Sequence, residues 1–173
     1  MHTDELTIRE AGPRDARLLS VLATVTFYEA YFEQDTPEDM ADYLTESFNV
    51  GQIGKELADP NSTFFIAYRA GVAVGYAKLI RNSYTDGVSD NSIELKRIYI
   101  LERHWRKGFG EVLLNHCIER VRNEGAGAMW LGVWERNERG LQFYRKHGFE
   151  RVGTLTFPYG DSVGINHVLE RTL

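Results

Sequence analysis

The sequence predicts an α/β (α+β mixed) protein built on a central mixed sheet with helices on both faces. Three observations carry that prediction. Two strand-like runs, residues 63–68 and 72–79, flank Arg69-Ala70-Gly71, whose glycine suits a hairpin turn. From Ser92 the pattern changes to strand, glycine-rich turn, helix and strand, as in a crossover that returns parallel. Residues 150–157 and 163–170 then read as a closing hairpin. A meander followed by a crossover gives a sheet with both pairing senses.

Taken in order, residues 6–10 alternate apolar and polar as a first strand, which Ala11-Gly12-Pro13 ends, with Pro13 suited to the first turn of a helix. Ala16, Leu19, Leu22, Ala23 and Thr26 recur at helical spacing, so a first helix runs to about Ala30. Thr36-Pro37-Glu38-Asp39 is a second start signal, with a capping hydroxyl, proline at the first helical position and acids near the positive end of the dipole. Met40, Tyr43 and Leu44 give that helix an apolar face, and a short third helix is expected over 52–58, stopped by Asp59-Pro60. Residues 81–91 are polar and contain Asp86-Gly87, which predicts a mobile loop. A strand over 92–101, a helix over 109–122 ended by Gly125 and Gly127, a strand over 128–134 and a helix over 138–146 closed by Gly148 complete the pattern.

At 173 residues, with no repeat, linker or low-complexity segment, one domain covering 1–173 is expected. The chain is 43% hydrophobic and 26% charged, and no apolar run approaches membrane-spanning length. Acids at Asp4 and Glu5 stand where a basic leader would be, so a cytoplasmic location is the expectation. Cys117 has no cysteine partner and falls in step with Phe109, Leu113 and Val121, which predicts a buried filler rather than a nucleophile. The histidines at 2, 104, 116, 147 and 167 show no ligand spacing, so no metal is expected.

The net charge of −5 is unevenly spread. From Leu18 to Gly54 there is no Lys or Arg, yet Glu29, Glu33, Asp35, Glu38, Asp39, Asp42 and Glu46 lie there. Between Lys96 and Arg151 there are 12 basic and 7 acidic residues. A nucleic acid would meet the acidic half, which argues against such a partner. Taken singly, each acid also reads as part of a solvated helix face.

The basic half contains Trp105-Arg106-Lys107-Gly108-Phe109-Gly110-Glu111, where a strand hands over to a helix. The first turn of a helix carries unpaired N–H groups and the positive end of its dipole, and glycines there let an anion reach the backbone. Arg106 and Lys107 add positive charge, so the ligand expected is a phosphate. A Walker loop is excluded because the lysine precedes the glycine, and a dinucleotide fingerprint because Leu113 stands where a third glycine is required. A tight turn without a ligand is the alternative.

The order strand, x-x-x-Gly108-x-Gly110, helix, strand, then Asn137 through Tyr144 to Gly148-Phe149, resembles the GNAT superfamily of acyl-CoA-dependent N-acyltransferases. Glu94 through Leu101, Trp130 through Asn137 and the tail from Phe157 resemble more narrowly its bacterial spermidine/spermine acetyltransferase branch. Trp105 departs from the family, which usually has Arg or Gln there. The resemblance implies a mostly antiparallel sheet whose two central strands splay apart around Ile98 and Val133, with acetyl-CoA as cosubstrate. It also implies that Ile98, Tyr99 and Ile100 pair through backbone groups with the pantetheine arm, as an edge strand pairs with an extended peptide. Trp105 through Glu111 would hold the diphosphate, and Asn137 and Tyr144 would contact the cofactor.

Amide formation from a thioester needs a free amine and a proton for the leaving thiolate. Tyr144 matches the family's acid tyrosine, and an unperturbed phenol, with a pKa of about 10, is protonated at neutral pH. Packing beside Phe143 and Phe149 is the alternative role. Glu94 matches the position of a family base that would deprotonate an ammonium with a pKa of about 10.4, against the alternative of a solvated strand-end acid. Asn137 also reads as a helix N-cap. The acceptor implied is a small amine, a polyamine such as spermidine, with Glu33, Asp35 and Asp42 as binding residues. Other small amines, a peptide N-terminus, or a domain that binds CoA without turnover are the alternatives. The oligomeric state stays open between monomer and homo-oligomer.

Overall fold

A computed structural model describes residues 5–159 and 162–173, so Asp4 of the expected leader argument lies outside them. Its elements are β1 (Leu6–Glu10), α1 (Ala16–Tyr31), α2 (Pro37–Phe48), α3 (Val50–Ala58), β2 (Ser62–Arg69), β3 (Val72–Ile80), β4 (Ser92–Ile100), α4 (Phe109–Asn123), β5 (Ala128–Trp134), α5 (Glu138–Lys146), β6 (Glu150–Tyr159) and β7 (Ser162–Thr172). The strands hydrogen-bond in the order β1-β2-β3-β4-β5-β7-β6. The chain divides into two compact units, residues through Leu79 with Arg97–Cys117, and Ile80–Lys96 with Ile118–Leu173.

In the first unit β1 and β2 pair antiparallel from Leu6 opposite Arg69 to Glu10 opposite Phe65. Ala70 and Gly71 turn the hairpin with φ of 49° and 77°, the left-handed pair that a tight two-residue turn demands. The helical faces foreseen in α1 and α2 supply the core: Leu19, Leu22, Ala23, Met40, Leu44 and Phe48 pack with Ile53, Phe64, Ile66 and Tyr76. Thr36 caps α2 by accepting from the Asp39 N–H at 3.1 Å. The third helix begins two residues earlier than its apolar pattern suggested, because Asn49 caps it through the Gln52 N–H at 2.8 Å. A Cβ on Gly75 would stand 2.5 Å from the Tyr99 carbonyl oxygen, so only glycine lets β3 lie this close to β4.

A buried ion trio crosses this unit. The Glu56 carboxylate on α3 accepts from Lys78 Nζ of β3 at 2.8 Å and from Arg97 Nη1 of β4 at 2.7 Å. The Lys78 side chain is only 6% exposed, so its charge depends on that carboxylate. The cations also lie over aromatic rings, Lys78 5.4 Å from Phe64 and Arg97 4.9 Å from Phe48. Although burial opposes ionisation of Glu56, its bonds to Arg97 and Lys78 outweigh it and bring the pKa down to about 2.

In the second unit β4 and β5 pair parallel over Ser92–Glu94 opposite Ala128–Trp130. β5 and β7 pair antiparallel along all of β5, and β7 pairs antiparallel with β6. The segment expected to be a mobile loop is tied at several points. Arg81 forms an ion pair with Glu124, and the Ser89 N–H and hydroxyl donate to Glu170 at 2.6 and 2.7 Å. Trp130 Nε1 donates to the Ser83 carbonyl at 2.9 Å. These bonds tie parts of residues 81–91 to β5, β7 and the residue after α4, while most of the stretch stays exposed.

The ion trio yields a pH prediction. The folded pKa of Glu56 lies below its ordinary value of 4.5, so the trio's stabilisation is fully present above about pH 4.5 and is lost as pH falls toward 2. Replacing the carboxylate in Glu56→Gln leaves two cations without their counter-charge and is expected to cost about 3 kcal/mol at pH 7. Urea unfolding at pH 7 and pH 3 checks both: the gap between wild type and variant should narrow at the lower pH. A pH-independent gap would assign the loss to packing instead.

Candidate active site

The glycine turn is built by the end of β4. The Leu101 N–H donates to the Val74 carbonyl at 2.8 Å, residues 102–104 form a single 3-10 turn, and the Trp105 N–H closes it on Glu102 at 2.9 Å. Arg106 and Gly108 then take φ of 60° and 78° before α4 begins. The Val112 N–H donates to the Gly108 carbonyl at 3.1 Å, so α4 opens at the glycine turn, where the first turn of a helix presents its backbone N–H groups. The positive end of the α4 dipole therefore lies at the turn where the sequence leads one to expect an anion. An open depression of about 530 Å³ beside the turn is lined by Lys107, Gly108, Phe109 and Glu111 of the turn and helix and by Leu6 of β1.

Positive charge gathers here from outside the motif as well. The Arg69 guanidinium, at the end of β2, lies 5.8 Å from the Phe109 ring centre. Burial, with the charges of Lys107, Arg69 and Arg103 behind it, holds the His104 pKa below its ordinary value. Arg69 was not legible as part of the site, because only the β2–β3 hairpin brings it to the turn. A Cβ on Gly108 would meet no protein atom within 4 Å, so glycine is needed there for its positive φ, and the space above it is open to a ligand.

Strand geometry sorts the three β4 residues expected to pair with an extended ligand. Both the N–H and C=O of one residue in an antiparallel ladder point to the same side, alternating along the strand. Leu101 bonds to Val74, and the Tyr99 carbonyl faces Gly75, so odd positions face β3. Ile98 and Ile100 therefore turn their backbone groups the other way. The Tyr99 ring packs 6.0 Å from Tyr76 and 6.3 Å from Phe27.

The predicted acids of this unit sit on α2 and the segment before it. Glu33 and Asp42 are exposed and Asp35 is partly buried. Burial, then the charge of Asp39, raises the Asp35 pKa above the ordinary carboxylate range. Glu29 accepts from the Glu102 N–H at 2.6 Å, so one acid of the stretch holds the turn that follows β4.

In the second unit Glu94 is 5% exposed, not the solvated strand-end acid of the alternative reading. Its carboxylate accepts from the Ser83 hydroxyl at 2.6 Å and has Lys96 Nζ at 3.6 Å. Ser83 carries no sequence signal, and only its position opposite β4 reveals it. Asn137 caps α5 by accepting from the Gly140 N–H at 2.9 Å. Tyr144 lies on α5, partly buried, with its ring 5.3 Å from Phe143 and 5.7 Å from Phe149. Cys117 is fully buried and burial pushes its thiol up to about 12, which removes it as a nucleophile. No cluster of three or more His, Cys, Asp or Glu able to hold a metal occurs among the described residues, and no described helix is long and apolar enough to cross a membrane.

Comparison with known proteins bears on what the turn binds. The pattern of the acetyltransferase (GNAT) family matches residues 22–149. An uncharacterized N-acetyltransferase from the pepI 3′ region of Lactobacillus delbrueckii subsp. lactis is 30% identical over 167 residues, covering 96% of each chain. Streptothricin acetyltransferase of Streptomyces lavendulae is 27% identical over 88% of this chain and 85% of its own. The crystal structure of PaiA N-acetyltransferase from Thermoplasma acidophilum in complex with coenzyme A shares the fold, with TM-score 0.79 and 20% identity over 98% of this chain and 99% of that one.

The open space at Gly108 makes a direct test available. In Gly108→Val the side chain enters open space and not the protein core; if a diphosphate lies there, CoA affinity is expected to fall at least tenfold, with about 1–2 kcal/mol lost from the strained φ. Calorimetric titration with CoA beside thermal unfolding separates the two effects. Full CoA affinity in a destabilised variant would remove the turn from the binding site.

Proposed function

Because this chain belongs to the acetyltransferase (GNAT) family and is an acetyl-CoA-dependent N-acetyltransferase, we propose that its acceptor is a polyamine of the spermidine or spermine type. The observation that carries this reading is the run from Leu18 to Gly54, which has seven carboxylates and no Lys or Arg. Glu33, Asp35 and Asp42 are the proposed binding carboxylates. Asp35 is raised first by burial and then by the charge of Asp39, and that second cause is the repulsion a polycation would relieve. The branch resemblance of residues 94–101 and 130–137 supports the same acceptor.

Acetyl-CoA supplies the acyl thioester. The N–H groups of Phe109, Gly110 and Glu111, with Arg106 and Lys107 beside them and Trp105 and Gly108 shaping the turn, hold its diphosphate. Ile98 and Ile100 present backbone groups to the pantetheine arm, while Tyr99 between them anchors β4 in the core. Asn137 adds a cofactor contact to its capping bond. Glu94, oriented by Ser83, takes a proton from the acceptor ammonium through water. The neutral amine attacks the thioester carbonyl and the C–S bond breaks. Tyr144 gives its phenolic proton to the departing sulfur and regains one from the new amide nitrogen. The same reading takes the whole chain as one catalytic domain working in the cytoplasm.

Steady-state release of free thiol on a panel of spermidine, spermine, putrescine, aminoglycosides and N-terminal peptides tests the acceptor. The expected result is the highest kcat/KM for a polyamine, eroded by salt because screening weakens attraction between exposed charges. A peptide that outperforms every polyamine would refute the acceptor and leave acetyl transfer standing. CoA binding without amine-dependent thiol release would favour a non-catalytic module. Tyr144→Phe is expected to keep CoA affinity and lower kcat about a hundredfold, since only the proton donor goes. An unchanged kcat would take the acid role from Tyr144.

A further inference from the structure

Trp105 stands where the family usually has Arg or Gln, and its side chain does something specific. The indole Nε1–H donates to the carbonyl oxygen of Ile100, the last residue of β4, at 2.6 Å. Ile100 is one of the two residues whose backbone groups point away from β3. The described parallel pairing with β5 ends at Glu94. Beyond it, the even residues Lys96, Ile98 and Ile100 turn their N–H and C=O groups away from β3, and the acceptor nearest the turn in that row, the Ile100 carbonyl, is already engaged by the indole.

From this we infer that Trp105 is a positioning residue that sets the register of the pantetheine arm on β4, a proposal that rests on the arm pairing with Ile98 and Ile100. An extended chain carrying amides can slide along a strand edge in steps of two residues, about 6.6–6.8 Å, and find equivalent partners after each step. Such a slip toward the turn requires the Ile100 carbonyl as acceptor for an arm amide. With the indole on that oxygen, the slip toward the turn is blocked and the Ile98 carbonyl is the last free acceptor on that side. The register decides where the thioester stops along β4, so it governs reaction geometry as well as affinity, and a misplacement of one step would separate the acyl carbon from the attacking amine.

The test compares CoA with 3′-phospho-ADP, the same molecule cut back to the part that meets the turn. Calorimetry on the full chain measures both ligands for wild type, Trp105→Phe, which keeps a ring and loses the donor, and Trp105→Gln, whose amide N–H can donate to the same carbonyl. The expected result is a loss of about fivefold in CoA affinity for Trp105→Phe, the size of one hydrogen bond, with 3′-phospho-ADP unchanged and with CoA affinity restored in Trp105→Gln. In turnover, kcat for Trp105→Phe should fall by more than KM rises, because misregistered acetyl-CoA is bound but unproductive. Equal losses for both ligands would show that Trp105 only shapes the turn and would overturn the proposal, as would unchanged affinity and kcat in Trp105→Phe. A wild type that binds CoA no more tightly than 3′-phospho-ADP would instead overturn the underlying pairing of the arm with β4. A Trp105→Phe variant that unfolds leaves the Trp105→Gln comparison, where a loss confined to CoA despite a stable fold also overturns the assignment.

Discussion

The Glu56 carboxylate is the point on which the first unit turns. A lysine in the middle of an apolar strand and an arginine in the next strand are both costly to bury, and neither finds a cheap refuge in a core of Phe48, Phe64 and Tyr76. One carboxylate from α3 serves both. The arrangement ties a helix to two strands at once, and its cost explains its form. Each cation also lies over a ring, so loss of water is offset by the carboxylate and by the aromatic face together. The hydroxyl of Tyr76, fully buried and with no hydrogen-bond partner among the described residues, remains uncompensated in this cluster.

Arg97 immediately precedes Ile98 and Ile100, the residues proposed to meet the ligand. Fixing it to Glu56 fixes the sense in which β4 alternates, with odd residues toward β3 and Ile98 and Ile100 away from it. Gly75 serves the same end by a different route, because a side chain there would push against the Tyr99 carbonyl and part the two strands. The backbone groups offered by β4 are therefore set by an ion pair and a missing methyl group. Neither touches the proposed ligand.

Most elements were legible in the sequence because they follow from local pattern. α1 and α2 show helical spacing, Thr36-Pro37 marks a start, and the glycine turn lies between a strand run and a helix run. What stayed hidden depends on chain pieces far apart in sequence. Lys78 inside an otherwise apolar β3 was a signal that a buried partner must exist, but nothing local named Glu56, 22 residues earlier. Ser83 beneath Glu94 and Arg69 beside Phe109 are of the same kind. The bonds that tie residues 81–91 to β5 and β7 are of that kind too, because composition reports polarity and not which group is the partner. Trp105 was noted as a departure, yet its bond to Ile100 required the 3-10 turn to be placed first.

The conformation of the glycine turn bears on how a ligand meets it. A left-handed φ costs a non-glycine residue such as Arg106 about 1–2 kcal/mol, and a loop free to relax would avoid it. Here the chain is held on both sides. Behind it, Trp105 is bound through its ring to Ile100 and through its backbone to Glu102, and Glu29 holds the Glu102 N–H. Ahead of it, Phe109, Leu113, Leu114 and Cys117 bury the first turns of α4. The strain is thus supported by contacts within the fold. If the turn holds the proposed diphosphate, the ordering cost that a flexible loop would subtract from binding has already been met in folding, and affinity then rests on charge and hydrogen bonding.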